Sequence, residues 1–167
     1  MRTAILNRSM RPPRLIDRSL LDRTTAEAIA SPRGRKNFNL HASESEPSNR
    51  LLNAIEPGSY VQPHRHADAS KDETLVVVRG RLAAVFFDDL GGITTTAVLA
   101  PDGERIGVDI PHGTFHTLFA LETGTIFFEA KAGPYAALGP GERAPWAPAE
   151  GTLEAAAYLA RLSSQLG

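Results

Sequence analysis

Residues 58–80 read GSYVQPHRHADASKDETLVVVRG and carry most of the structural and chemical signal in the chain. His64 and His66 stand at positions i and i+2 of a predicted strand, where side chains alternate between two faces. Both imidazoles therefore point to one side and can reach the same ion. Glu73 opens the next predicted strand after a short polar loop, and an antiparallel hairpin would return it close to the histidines. The apolar residues two and four positions later share its face, which predicts that this face is the interior.

A fourth candidate ligand, His116, follows the turn PHGT at residues 111–114. Three imidazoles and one carboxylate form a mixed nitrogen and oxygen donor set for one divalent first-row metal ion. Such a set leaves coordination positions open for water or substrate. The residues do not distinguish Fe, Mn, Zn and Ni. Because a bare HxH spacing is also typical of two solvated loop histidines, the prediction depends on all four residues together.

The middle of the chain, residues 35–131, consists of short β-branched or aromatic runs that Gly, Pro and Asp interrupt. This pattern predicts an antiparallel sandwich or barrel rather than βαβ units. The predicted strands cover residues 50–55, 73–79, 82–87, 94–99, 105–110, 116–121 and 125–130. Several of these runs are apolar on both faces, as expected where a barrel is also covered from outside. The fold class predicted is therefore all-β.

Two flanks enclose this β-rich part. Residues 1–34 are interpreted as a lead-in followed by a helix over residues 19–30, in which Ser19 and Asp22 resemble a capping box. Residues 132–167 form a Pro/Gly-rich tail, with the only tryptophan at Trp146, and a helix from Thr152 to about residue 165. We expect this C-terminal helix to pack on the barrel.

Composition restricts the partners and the chemistry. The 18 basic and 19 acidic residues give a formal net charge of −1, so no global charge favours nucleic acid or an anionic membrane. The chain has no cysteine, which excludes disulfides and thiolate metal sites. We find no signal-peptide pattern and no apolar run of membrane-spanning length. A cytoplasmic protein that binds a small-molecule substrate is the expectation.

Two motifs resemble those of the cupin superfamily. The first has its conserved positions at Gly58, His64, His66, Glu73 and Gly80, and the second has them at Pro111, Gly113 and His116. The loop before Glu73 is two or three residues longer than usual, and Arg105 stands where the second motif has a glycine. The resemblance implies an antiparallel double-stranded β-helix, the cupin or jelly-roll barrel, with short helices at both ends.

The chain is also similar to the WbuC family of cupin-fold metalloproteins over about residues 15–150. The segments that carry this similarity are NFNLH (37–41), RLLNAIEPG (50–58), QPHRH (62–66), KDET (71–74), FEAKAGPY (128–135) and APWAP (144–148). Members of that family are often associated with bacterial surface-polysaccharide gene clusters. The resemblance implies a metal site, a sugar or sugar nucleotide as substrate, and a homodimer formed through outer strands or exchanged termini.

Two further residues are candidates for proton transfer. Glu129 lies in an otherwise apolar predicted strand, and a carboxylate that faces the interior needs a partner or a nearby cation. It is a candidate general acid or base beside the metal, although a strand-end Glu in water has the same sequence pattern. Tyr60 is offset from His64 by an even number of residues, so its hydroxyl is a second candidate, and packing alone would also explain it.

Three functions fit these residues. The first is a metal-dependent isomerase or epimerase that acts on a sugar or sugar nucleotide. The second is an Fe(II)-dependent dioxygenase acting on a small organic substrate. The third is a non-catalytic cupin that binds a small molecule or carbohydrate. An inward-facing Glu129 within reach of the ligand space would count against the third.

Overall fold

The computed structural model describes residues 12–166, so the lead-in predicted for residues 1–11 lies outside the described residues. Its elements are α1 (Arg18–Ala30), β1 (Arg35–Asn39), β2 (Ser48–Ile55), β3 (Glu73–Arg79), β4 (Leu82–Phe87), β5 (Ile93–Leu99), β6 (Gly107–Ile110), β7 (Phe115–Ala120), β8 (Thr125–Ala132) and α2 (Leu153–Ser163). All strand pairs are antiparallel. No helix in this range is long and apolar enough to cross a membrane.

The strands form two sheets that face each other. The larger sheet has the order β1-β2-β8-β3-β6, and the smaller has the order β5-β4-β7. The apolar layer between them includes Leu75 and Val77 from the larger sheet and Leu82 and Leu118 from the smaller one. Interdigitation of the two inner faces is the main source of stabilisation in such a sandwich. The expectation that Leu75 and Val77 face the interior is confirmed.

Both outer faces are also covered, which explains the runs that are apolar throughout. Helix α1 packs Leu20 and Ala28 on the outer face of the larger sheet, against Leu52 of β2. Helix α2 packs Tyr158 and Leu162 on the outer face of the smaller sheet. A strand with both faces covered has no need of polar alternation.

The N-terminal cap of α1 differs from the sequence prediction. The Asp17 side chain accepts a hydrogen bond from the Leu20 backbone N–H at 2.8 Å, and the helix begins one residue after Asp17. The predicted capping box of Ser19 and Asp22 is therefore wrong. Asp22 instead pairs with Arg79 of β3 at 2.6 Å, which ties α1 to the sheet.

Gly80 makes the tight turn between β3 and β4 possible. Its φ is +74°, a region that L side chains rarely adopt. A Cβ at this position would also lie 2.5 Å from Thr125 Oγ1. The strand that begins at Glu73 can therefore turn at once into the smaller sheet.

Candidate functional site

A cavity of about 680 Å³ opens between the sheets, on the inner face of the larger one. The residues that line it include His64, His66, Glu73, His116, Glu129 and Lys131. A second cavity, of about 370 Å³, lies beside β5 and contains none of the predicted ligands. All four predicted metal ligands thus share one cavity.

His64 and His116 are joined through their backbones. The N–H of His64 donates to the carbonyl of His116 at 3.0 Å, and the N–H of His116 donates back at 2.9 Å. Their ring centroids lie 4.6 Å apart. His116 belongs to β7, but His64 lies in an irregular segment that pairs with β7 through this isolated bridge. The expectation that His64 and His66 lie on a strand is therefore wrong, although both imidazoles reach the cavity.

Backbone carbonyls fix the orientation of two rings. His64 Nδ1 lies 3.1 Å from Gln62 O, and His116 Nδ1 lies 2.9 Å from Thr114 O. Because a carbonyl only accepts, both Nδ1 atoms carry the proton and each Nε2 keeps a lone pair. Ligand histidines in metalloproteins are commonly held by this kind of contact. Nε2 of His116 is buried and has no hydrogen-bond partner in residues 12–166.

Electrostatics keep these two imidazoles neutral. Burial, together with the neighbouring His116, lowers the pKa of His64 to about 3. Burial likewise lowers the pKa of His116, against the opposing effect of Glu73. A neutral imidazole is the form that binds a metal ion, so neither ring needs to lose a proton near pH 7.

The Glu73 carboxylate lies close to His66 and His116. Its Oε2 is 3.1 Å from His66 Nε2 and 3.9 Å from His116 Nε2, and the residue is buried. Burial alone would raise the pKa of Glu73, but the His66 hydrogen bond and the charge of Lys131 lower it below its usual range. The carboxylate is therefore ionised, as a metal ligand must be.

The donor atoms are of the types that bind a divalent ion, although their positions do not form a complete coordination site in residues 12–166. In residues 12–166, no group of three or more His, Asp or Glu side chains is arranged as a complete metal site. His66 Nε2 is directed at Glu73, and the ring centroid of His66 lies 5.5 Å from that of His64 and 6.4 Å from that of His116. Three imidazoles, one ionised carboxylate and an unpartnered Nε2 on His116 match the residues that such an ion requires.

Glu129 faces the same cavity. It is buried, its Oε2 accepts a hydrogen bond from Asn53 Nδ2 at 2.7 Å, and its Oε1 lies 2.6 Å from Lys131 Nζ. Burial and the charge of Glu73 raise the pKa of Glu129, although Lys131 acts in the opposite direction. The pKa of Glu129 is therefore shifted upward, whereas the pKa of the neighbouring Glu73 is shifted downward.

Lys131 was missed by sequence reasoning. It lies two residues after Glu129 on β8, so both side chains share the inner face. Burial lowers the pKa of Lys131, but the charges of Glu129 and Glu73 and the hydrogen bond to Glu129 together outweigh burial, so the pKa is raised overall. The alternation of Phe127, Glu129 and Lys131 is the signal that would have found it.

Tyr60 does not line the cavity. Its hydroxyl donates to Pro148 O at 2.8 Å, and its ring packs against Tyr158 in the cluster under α2. The even spacing from His64 indicates a shared face only on a regular strand, and this segment is irregular. The proton-transfer role predicted for Tyr60 needs a hydroxyl facing the metal ligands, and the structure places it elsewhere.

Comparison with known proteins gives a family and a fold. The family model described as "Domain of unknown function (DUF6016)" matches residues 16–99. No curated protein gave a significant match. The resemblance to the WbuC family therefore stays a prediction.

Solved structures are similar in fold. KdgF from Halomonas sp. is 19% identical over 64% of this chain and 84% of its own, with a TM-score of 0.50. A conserved protein of unknown function from Streptococcus pyogenes is 13% identical over 76% of this chain and 93% of its own, also with a TM-score of 0.50. A cupin superfamily protein from Desulfitobacterium hafniense is 13% identical over 59% and 76%, with a TM-score of 0.46. The first two, with the two antiparallel sheets, confirm the predicted all-β jelly-roll class.

Proposed function

The chain belongs to the family described as a domain of unknown function (DUF6016), and within that family we propose that it is a metal-dependent enzyme. His64, His66, Glu73 and His116 hold one divalent ion, which is Fe, Mn, Zn or Ni. Glu129 acts as the general acid or base. The substrate is a sugar or sugar nucleotide, and the reaction is an isomerisation or epimerisation.

The observation that carries the metal proposal is the buried Nε2 of His116, which has no partner in residues 12–166. A buried acceptor without a donor is costly to folding. Its Nδ1 contact with Thr114 O prevents the ring from satisfying Nε2 by a change of tautomer. A cation held by the four proposed ligands would account for the unpartnered Nε2 of His116, the neutral imidazoles of His64 and His116 and the ionised Glu73 together.

A divalent ion held there supplies Lewis acidity, which polarises a substrate carbonyl. The proton transfer belongs to Glu129. The Glu129 carboxylate removes a proton from the carbon beside that carbonyl. In an isomerisation it gives this proton to the former carbonyl carbon, while the hydroxyl proton on the neighbouring carbon passes to the carbonyl oxygen. In an epimerisation water protonates the first carbon on its opposite face, and Glu129 releases its own proton to water. Asn53 and Lys131 hold one Glu129 oxygen each, so the group is oriented before substrate arrives.

The inward position of Glu129 argues against a binding protein without turnover, because ligand binding alone does not require a buried carboxyl beside the metal ligands. The resemblance to the WbuC family supports a sugar or sugar nucleotide as substrate. We keep the homodimer and the cytoplasmic location as predictions from the sequence.

Elemental analysis of the purified protein tests the metal. We expect about one divalent ion per chain, and its loss in H64A, H66A and H116A. H112A is the matched control, since His112 is exposed and paired with Asp72 at 2.7 Å. Unchanged metal content in all three variants would contradict the proposal.

E129Q tests the reaction. It keeps the hydrogen-bonding shape of the side chain but cannot transfer the proton, so metal content should stay the same and turnover of a sugar or sugar nucleotide should fall at least a hundredfold. E122Q is the control, because Glu122 is exposed and lies 3.8 Å from Arg81. Oxygen uptake by the iron-loaded protein would instead favour the dioxygenase.

A further inference from the structure

The inner face of the larger sheet carries a row of polar side chains that leads away from the candidate metal site. In the register of the sheet, Glu73 of β3 is opposite Lys131 of β8, and Lys131 is opposite Asn49 of β2. Neighbouring strands lie about 4.8 Å apart. Asn49 therefore stands about two strand spacings from Glu73, a distance that a monosaccharide ring can span.

Asn49, like His116, lines the cavity and has a buried polar atom without a hydrogen-bond partner in residues 12–166. It is 2% exposed, and its Oδ1 has no hydrogen-bond partner in residues 12–166. Asn49 lines the same cavity as the histidines. The cost of an unpaired buried carbonyl is hard to explain by packing, because an apolar side chain would fill the same place without it.

The neighbouring groups define what can bind beside Asn49. Asn53 donates a hydrogen bond from its Nδ2 to Glu129, and its Oδ1 is available as an acceptor. Lys131 forms its only ion pair within residues 12–166 with Glu129, and its ammonium carries three donors. This part of the inner face, referred to as the wall, therefore offers several acceptors around one cationic donor; it consists of Asn49, Asn53, Glu129 and Lys131.

Charged ligand groups suit this wall poorly. A ligand carboxylate or phosphate would face the oxygens of Asn49 and Glu129, and a ligand ammonium would face Lys131. A hydroxyl can donate to the amide or carboxyl oxygens and also accept from the ammonium. Adjacent hydroxyls on one ring can satisfy both demands.

We propose that Asn49 and Lys131 form a hydroxyl-binding subsite that selects the neutral, polyhydroxylated part of the ligand. This rests on the proposed function only in placing the reacting end of the ligand beside the metal ligands. Asn49 Oδ1 accepts a hydrogen bond from a ligand hydroxyl, and the Lys131 ammonium donates one to an oxygen of the same ring. The subsite discriminates a sugar ring from a small dicarboxylic acid.

A thermodynamic cycle between protein and ligand tests the subsite. Binding of D-glucose, D-galactose, D-mannose and D-xylose is titrated by NMR on the purified holoprotein, and the tightest probe is then compared with its monodeoxy analogues. We expect N49L to weaken the parent sugar at least tenfold. We also expect one deoxy analogue to bind wild type and N49L alike, because the hydroxyl that Asn49 contacts is missing.

The controls separate contact from folding. N49L should melt at or above the wild-type temperature, since an unpaired buried carbonyl is removed. K131M should also weaken the parent sugar at least tenfold, whereas K71M should not, because Lys71 lies outside the cavity and donates to Pro134 O. If K131M does not fold, the comparison of wild type and N49L with the parent sugar and its deoxy analogues is sufficient to test the subsite.

Three results would overturn the subsite: no probe binds the wild-type protein, N49L binds every probe as tightly as wild type, or all monodeoxy analogues lose affinity equally in both proteins. Metal content is measured in the same samples. Neither Asn49 nor Lys131 is a proposed ligand, so a chain without metal would contradict the proposed function and leave the sugar cycle readable.

Discussion

The backbones of His64 and His116 hydrogen-bond to each other in both directions, at 3.0 and 2.9 Å. This bridge attaches an irregular segment to the edge of β7 and sets the two rings side by side. Thr117, the next residue of β7, adds a second attachment, because its Oγ1 donates to Val61 O at 2.6 Å. The position of His64 thus depends on β7 rather than on a strand of its own.

Replacing Thr117 by Val should loosen this attachment. Val keeps the volume but has no donor, and the partly buried Val61 carbonyl loses its partner, so we expect a loss of about 1–3 kcal/mol in the free energy of unfolding. Metal affinity should fall as well, because His64 and His66 lie on the released segment. Urea denaturation and a metal titration measure the two effects.

T74V is the matched control, because Thr74 is exposed and bonds Asp109 at 2.6 Å on the outer side of β3. A T117V protein with wild-type metal affinity would show that the segment is held by other contacts.

Glu73 is expected to be a ligand in its ionised form. E73Q keeps the shape and removes the charge, so affinity for a divalent ion should fall at least tenfold. Competition with a chelator of known affinity gives the constant, with E122Q as control. Equal affinity in E73Q and wild type would mean that the three histidines hold the ion without the carboxylate.

The pKa of His64 predicts how the metal-free protein responds to acid. The unfolded chain binds a proton at His64 near the ordinary pKa of 6.5, whereas the folded chain binds it only near 3. Stability due to this group is therefore complete above pH 6.5 and is lost as the pH falls toward 3. Between pH 7 and 5 the loss from His64 should be about 2 kcal/mol.

H64N isolates this contribution, because Asn can keep the donation to Gln62 O but does not titrate. As the pH is lowered from 7 to 5, chelator-treated wild type should lose about 2 kcal/mol more of its free energy of unfolding than H64N does. Parallel pH profiles for the two proteins would contradict a depressed His64 pKa.

Local patterns predicted most of the fold, since the seven strands β2 to β8 overlap the predicted runs, whereas β1 (Arg35–Asn39) does not. The irregular path of residues 60–66 was not predicted, and Pro63 gives a physical reason, because it has no N–H to donate to a ladder. The even spacing that placed Tyr60 beside His64 failed for the same reason.

The candidate site likewise contains residues that the sequence predicts and residues that it does not. His64, His66, Glu73 and His116 follow from motif spacing, and the structure brings them into one cavity. Asn49 and Lys131 become neighbours only through the register of β2 with β8, a long-range pairing that no local window of sequence contains.

The buried pair of Glu129 and Lys131 provides a last prediction. Lys131 is 18% exposed and Glu129 is 8% exposed in their side chains, so removing one charge leaves the other with little water. Breaking such a pair usually costs about 3–5 kcal/mol, which we expect for K131M. The double variant E129Q/K131M should recover most of the loss, because the neutral amide needs no cation and can still hydrogen-bond Asn53. Urea denaturation of the four proteins gives the coupling free energy, and additive losses would show that the 2.6 Å contact contributes nothing to stability.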